Sequence, residues 1–149
     1  MTGSAWEPEL ETFLIINRRR ALLIPLTILT TFVVMRAYLH HSPGSNLDIG
    51  AYNIHHLFTG LLLITLGGLP LVLFHGDNRW LDLSAVMFGA GLSMALDEWV
   101  YLITTDGSDA SYLLPISLWG GAVMVALTLV YLVILALVGR RCASRTSER

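Results

Sequence analysis

The sequence predicts an all-α protein, a transmembrane four-helix bundle with up-down topology that follows a short interfacial helix. Three observations support this prediction. Hydrophobic residues make up 54% of the chain and charged residues only 13%, whereas a soluble domain is about a quarter charged. Four apolar runs are long enough to cross a hydrocarbon core of about 30 Å as helices. The segments between these runs are short, so neighbouring helices are expected to be antiparallel.

The elements follow from the positions of the apolar runs. Residues 6–18 are expected to form the short interfacial helix, because Pro8 suits a first helical turn and Leu10, Phe13 and Leu14 form an apolar stripe. No linker or composition shift divides the chain, so residues 1–149 are predicted to be a single integral membrane domain. The approximate spans are residues 21–41, 53–75, 80–104 and 112–139.

The positions of the basic residues predict the orientation. The loops at 42–52 and 105–111 contain no Lys or Arg. By the positive-inside rule, these loops face outward and both termini are cytoplasmic, in a multi-pass protein of the cell membrane. The net charge of −2 gives no reason to expect nucleic acid as a partner. The arginines that set the orientation flank the other span ends: Arg18, Arg19, Arg20, Arg79, Arg140, Arg141, Arg145 and Arg149.

Two adjacent acids, Asp97 and Glu98, lie within the third span. A carboxylate costs about 2.5–3.5 kcal/mol at the centre of a membrane helix on insertion scales, so both acids need partners. Asp97 continues a stripe of small and polar residues with Gly89, Ser93 and Tyr101, and small residues let helices approach closely. Both carboxylates are therefore expected to face the bundle.

Other ionisable residues are predicted to lie at a similar depth. At 1.5 Å per residue, Arg36 lies roughly 7–8 Å inside the outer end of the first span, and the two acids roughly 10 Å inside that of the third. His55 and His56 begin the second span, and His40 shares a helix face with Arg36. Three spans thus contribute polar side chains to one layer of the outer leaflet.

A metal site is one interpretation of this layer. Imidazoles and carboxylates bind Zn²⁺, Fe²⁺ or Mn²⁺, and helix bundles assemble such sites from facing helices. With an open position, the ion could support a metal-assisted reaction on a lipid or another membrane-soluble substrate. The ligands expected are His56, Asp97, Glu98 and His55, with Arg36, His40 and Tyr101 as a second shell or as ion-pair partners.

Two other interpretations remain open. In the first, Arg36 pairs with one of the two acids, the histidines form hydrogen bonds, and the chain is a structural or assembly subunit. In the second, a carboxylate that gains and loses a proton drives a small transporter. Membrane lipids, a small-molecule or lipid ligand and a second copy of the chain are the expected partners. The residues near the inner face are interpreted as ordinary interface residues: His75, Asp77, Arg79 and Asp82.

Two short motifs lie in the middle third of the chain: NIHHLFTG at residues 53–60 and MFGAGLSMALDEW at residues 87–99. They resemble a group of small bacterial integral membrane proteins that have "IHH" at the start of one helix and "LDE" near the end of the next. That group has no settled activity, so the resemblance implies no reaction. It singles out the same four residues as the depth argument: His55, His56, Asp97 and Glu98.

Overall fold

A computed structural model describes residues 17–42, 48–49, 52–53 and 55–147 and confirms an all-α bundle with four helices long and apolar enough to span a membrane. The chain is thus a polytopic membrane protein. A short antiparallel pair of strands lies between the first two helices and pairs Asp48 with Asn53. The interfacial helix expected at residues 6–18 falls almost wholly outside the described residues. The elements are α1 (Arg18–His41), β1 (Asp48–Ile49), β2 (Tyr52–Asn53), α2 (His56–Leu73), α3 (Arg79–Thr104), α4 (Asp109–Tyr112) and α5 (Pro115–Ser147).

Several helix boundaries differ from the expected spans. The second helix begins at His56 rather than at residue 53, because Tyr52 and Asn53 belong to the strand pair. The fourth long helix begins at Pro115 rather than at residue 112, because Tyr112 belongs to the separate turn α4. Pro115 suits this start, since the first turn of a helix needs no backbone N–H from it. The same helix continues past residue 139 to Ser147, because helical structure does not end where hydrophobicity ends.

Polar contacts at both ends establish the up-down arrangement. Arg20, at the start of α1, donates from Nη2 to the carbonyl oxygen of Gly76 at 2.5 Å, next to the start of α3. Near the other end of α1, Arg36 reaches Asp97, near the end of α3. We call the end that carries Asp97 the outer end and the opposite end the inner end, after the orientation predicted from the arginines.

Helix α3 lies at the centre of the bundle. It packs against α1, α2 and α5, whereas α1 and α5 touch one another only over a short length. It also carries ten of the buried residues, although it is the least hydrophobic of the four spanning helices. Polar residues are tolerated in this helix because neighbouring helices, and not lipid, surround much of its surface.

Glycine brings α2 and α3 into close contact. A Cβ atom on Gly67 would lie 2.5 Å from both the Ser84 carbonyl oxygen and the Phe88 nitrogen. A Cβ atom on Gly91 would lie 2.5 Å from the carbonyl oxygen of Gly60. Both contacts are with backbone atoms, which cannot turn aside as a side chain can. The packing of α2 on α3 therefore depends on small residues, as is common for membrane helices.

The inner end also contains a buried acid. Asp82 is 7% exposed, and its carboxylate lies 3.0 Å from Nη1 of Arg19 and 3.5 Å from Nε of Arg20. The expectation that Asp82 is an ordinary interface residue is therefore wrong. It lies one turn into α3, on the side that faces α1, so the two arginines at the start of α1 reach it.

Candidate functional site

Asp97 is the centre of the polar network at the outer end. The Arg36 side chain donates to Oδ1 of Asp97 from Nε at 2.9 Å and from Nη2 at 2.5 Å. Both side chains are largely buried, with 12% of Arg36 and 7% of Asp97 exposed. The expected ion pair between Arg36 and one of the two acids is confirmed, and Asp97 is the partner.

Backbone carbonyl groups complete the environment of Arg36. Its Nη1 donates to the carbonyl oxygen of Tyr112 at 3.1 Å, and its Nη2 donates to that of Ser117 at 2.9 Å. The Ser117 hydroxyl accepts a further hydrogen bond at 3.2 Å. One arginine of α1 therefore holds α3, the α4 turn and the start of α5 together. The room for this pair comes in part from Gly121, where a Cβ atom would press on Oδ1 of Asp97 and lie 3.2 Å from Nη2 of Arg36.

Tyr112 occupies the other oxygen of Asp97. Its hydroxyl donates a hydrogen bond to Oδ2, and its ring lies 4.2 Å from the guanidinium carbon of Arg36, a cation–π distance. Burial, followed by the negative charge of Asp97, raises the pKa of the Tyr112 hydroxyl above its usual range. The hydroxyl therefore keeps its proton and remains a hydrogen-bond donor. Both carboxylate oxygens of Asp97 are thus bound within the chain.

Glu98 points to a different helix. Its Oε1 lies 2.9 Å from Nδ1 of His55, and its Oε2 accepts a hydrogen bond from the backbone N–H of Leu57. The residue that precedes α2 caps no backbone N–H with its own side chain, so Glu98 supplies that cap from α3. A carboxylate at this position also stabilises the positive end of the helix dipole.

The two acids are engaged on different sides of α3. Asp97 faces α1 and the start of α5, and Glu98 faces α2, because neighbouring residues on a helix point about 100° apart. Both residues are buried, which confirms that they face the bundle. Among the described residues, no group of three or more His, Cys, Asp and Glu side chains is placed to hold a metal ion. The four-ligand site of His55, His56, Asp97 and Glu98 therefore stays a prediction.

A cavity of about 10 Å³ lies where side chains of the first three spanning helices meet. This volume accommodates about one water-sized particle. His56 of α2 and Asp97 of α3 line it, together with the ring of Tyr112. His56 forms no hydrogen bond to another described residue, so its imidazole is available to a ligand. The other lining side chains are Phe32 and Met35 of α1 and Ser93 and Met94 of α3.

His40 and Tyr101, the remaining predicted residues, make other contacts. His40 is exposed on α1, and its ring lies against that of His41 with centroids 6.1 Å apart. Tyr101 is buried, packs edge-to-face on the ring of Tyr112 and donates from its hydroxyl to the carbonyl oxygen of Ser108 at 3.1 Å. It therefore supports Tyr112, which in turn contacts Asp97.

Sequence reasoning missed Tyr112 and Ser117 as partners of the site. In the predicted spans Tyr112 is only the first residue of the fourth, and neither residue lies in a motif with Asp97 or Arg36. The signal that was present is local. Pro115 separates the two residues and forces a break between α4 and α5, and a break in a helix leaves carbonyl groups that need donors. Arg36 is such a donor at the same depth.

The chain was compared with models of protein families, with curated proteins and with solved structures, and no match was found in any of the three.

Proposed function

We propose that this protein binds a single metal ion in the outer leaflet of the membrane, in the cavity that His56 lines. The observation that carries the proposal is the convergence of three helices on one ion-sized space beside an imidazole with no hydrogen-bond partner among the described residues. Neutral imidazole is the commonest metal ligand in proteins. A cavity of about 10 Å³ has room for one ion.

The electrostatics near the cavity are consistent with a cation. Two carboxylates of α3, Asp97 and Glu98, are buried next to one another in the chain. Arg36 balances the charge of Asp97, and the side chain within ion-pair distance of Glu98 is His55, which is charged only when protonated. A bound cation would therefore lie close to buried carboxyl groups. This lowers the cost of placing a positive charge at membrane depth.

Metal content measured on purified protein tests the proposal. The wild-type chain in detergent should retain one metal ion after dialysis, as counted by elemental analysis against Zn, Fe, Mn and Cu standards. His56→Gln should lose that ion. The matched control is His40→Gln, since His40 is exposed and does not line the cavity, and this variant should keep it. Metal-free wild-type protein with intact helical circular dichroism, or metal retained by His56→Gln, would overturn the proposal.

The complete pairing of the acids favours a second candidate function, that of a structural or assembly subunit. Arg36 and Tyr112 bind Asp97, and His55 and the start of α2 bind Glu98. A buried pair whose partners are all present holds helices in one arrangement without any ligand. Folded, metal-free protein in the experiment above would favour this candidate. Proton-coupled transport has no further support from these contacts, because both acids are already bound within the chain.

A further inference from the structure

Two methionines line the cavity, in addition to the imidazole and carboxylate ligands that were predicted from the sequence. Met35 of α1 and Met94 of α3 line it, as does His56 of α2. Three helices thus contribute two methionines and one histidine to the lining of an ion-sized space. The carboxylate that reaches this space, Asp97, already accepts hydrogen bonds from Arg36 and Tyr112.

Ligand softness decides which ion such a set prefers. Zn²⁺, Fe²⁺ and Mn²⁺ favour imidazole together with carboxylate, whereas thioether sulfur favours Cu(I). Among the described residues, one imidazole without a hydrogen bond and two thioether side chains line the cavity. Each carboxylate nearby is already bound by an arginine or by the start of a helix. The methionine side chain has three rotatable bonds, so its sulfur can turn into the cavity without movement of the helix.

Charge gives a second, independent reason. Burying an ion in a low-dielectric medium is costly, and the cost rises with its charge. A monovalent ion bound by neutral thioether and imidazole ligands brings one positive charge to the outer leaflet. A divalent ion with the same ligands would bring two, with Asp97 already neutralised by Arg36.

We therefore propose that the ion bound in this cavity is Cu(I), held by Met35, Met94 and His56. The inference rests on the proposed function and names its ion and its ligands. Two other methionines, Met87 and Met124, are also half-buried in the bundle but do not line the cavity. These two residues serve as controls, because methionine commonly fills irregular space between helices without binding a metal.

Competition for Cu(I) tests the proposal directly. The purified protein in detergent is titrated without oxygen against Cu(I) held by a chromogenic chelator, with Ag(I) as a redox-inert probe and Zn(II) as the hard control. The wild-type chain should take one Cu(I) or Ag(I) in preference to Zn(II). Met35→Leu and Met94→Leu should each weaken binding by at least about tenfold, the scale on which even supporting groups of metal sites act.

The variants are chosen so that folding does not confuse the result. Met-to-Leu exchanges conserve volume and cost little stability in most cores, and helical circular dichroism checks each variant. Met87→Leu should bind Cu(I) as the wild type does. If the Met35→Leu, Met94→Leu double variant also binds as the wild type does, the thioether ligands are disproved. A metal that requires His56 but neither methionine would overturn this inference and leave the proposed function standing, and no bound metal at all would overturn both.

Discussion

Asp97→Asn is the most direct test of the network at the outer end. The substitution preserves the shape of the side chain but removes the negative charge that Arg36 contacts. Three hydrogen bonds end on Asp97: two from Arg36 and one from Tyr112. Each hydrogen bond to a charged group contributes about 1.5–3 kcal/mol. The Asn amide keeps one neutral acceptor oxygen, which retains about half of that for the two bonds from Arg36, while its NH₂ group can only donate and leaves the Tyr112 hydroxyl to accept. We therefore expect the free energy of unfolding to fall by about 2–4 kcal/mol, close to the range for breaking a buried pair.

The assay is reversible unfolding in mixed detergent micelles, followed by circular dichroism. Asp77→Asn is the matched control, since Asp77 is an exposed residue of the inner loop and should change stability by no more than about 0.5 kcal/mol. The double variant Arg36→Met, Asp97→Leu leaves no unpaired charge, but it also removes the donor to the carbonyl oxygens of Tyr112 and Ser117, so it should recover only part of the loss. If Asp97→Asn were as stable as Asp77→Asn, the ion pair would not hold the helices together.

Three further predictions follow from particular contacts. Glu98→Gln weakens the cap of α2, so the amide hydrogens in the first turn of α2 should exchange faster and stability should fall by about 1–2 kcal/mol. Gly67→Ala places a Cβ atom against backbone and should cost about 1–3 kcal/mol, whereas Gly68→Ala meets only a flexible ring edge at 3.3 Å and should be nearly neutral in the same unfolding assay. The pKa of the Tyr112 hydroxyl is raised in the folded chain. Above the unfolded value of 10.0 the unfolded chain loses this proton first, so the free energy of unfolding falls as the pH rises further. Tyr112→Phe should flatten this fall, and Tyr131→Phe, on the exposed face of α5, should leave it unchanged.

The sequence was sufficient to predict the spans, their antiparallel order and the shared depth of the outer polar residues. Hydrophobic length and helical rise determine all three, and both are properties of single segments. The pairing of Arg36 with Asp97 was also predictable in kind, because a buried charge requires a counter-charge. The sequence could not predict which of the two acids pairs with Arg36, because that depends on the rotation of α3 about its own axis. The rotation is set by glycine contacts such as that of Gly67 with Ser84.

The sequence could not predict which backbone groups bind the buried charged side chains. Glu98 binds the N–H of Leu57, and Arg36 binds the carbonyl of Tyr112. A backbone group has the same chemistry at every residue, so composition does not show which one lacks a partner. Asp82 was missed for a related reason. Its distance along α3 places it near the membrane surface, and only the packing of α1 on α3 shows that it is buried.

The two buried aspartates of α3 together determine how α1 sits against it. Fifteen residues separate Asp82 from Asp97, which is about 22 Å along a helix. A hydrocarbon core is about 30 Å thick, so a helix that crosses it can hold both acids within that thickness. Each is paired with an arginine of α1, Arg19 and Arg20 at one end and Arg36 at the other. Sliding α1 by one turn would break both pairs at once, so the two pairs define a single register. Between the two pairs α3 packs closely on α1, as at Ser93, whose hydroxyl donates to the carbonyl oxygen of Ile28 at 2.9 Å.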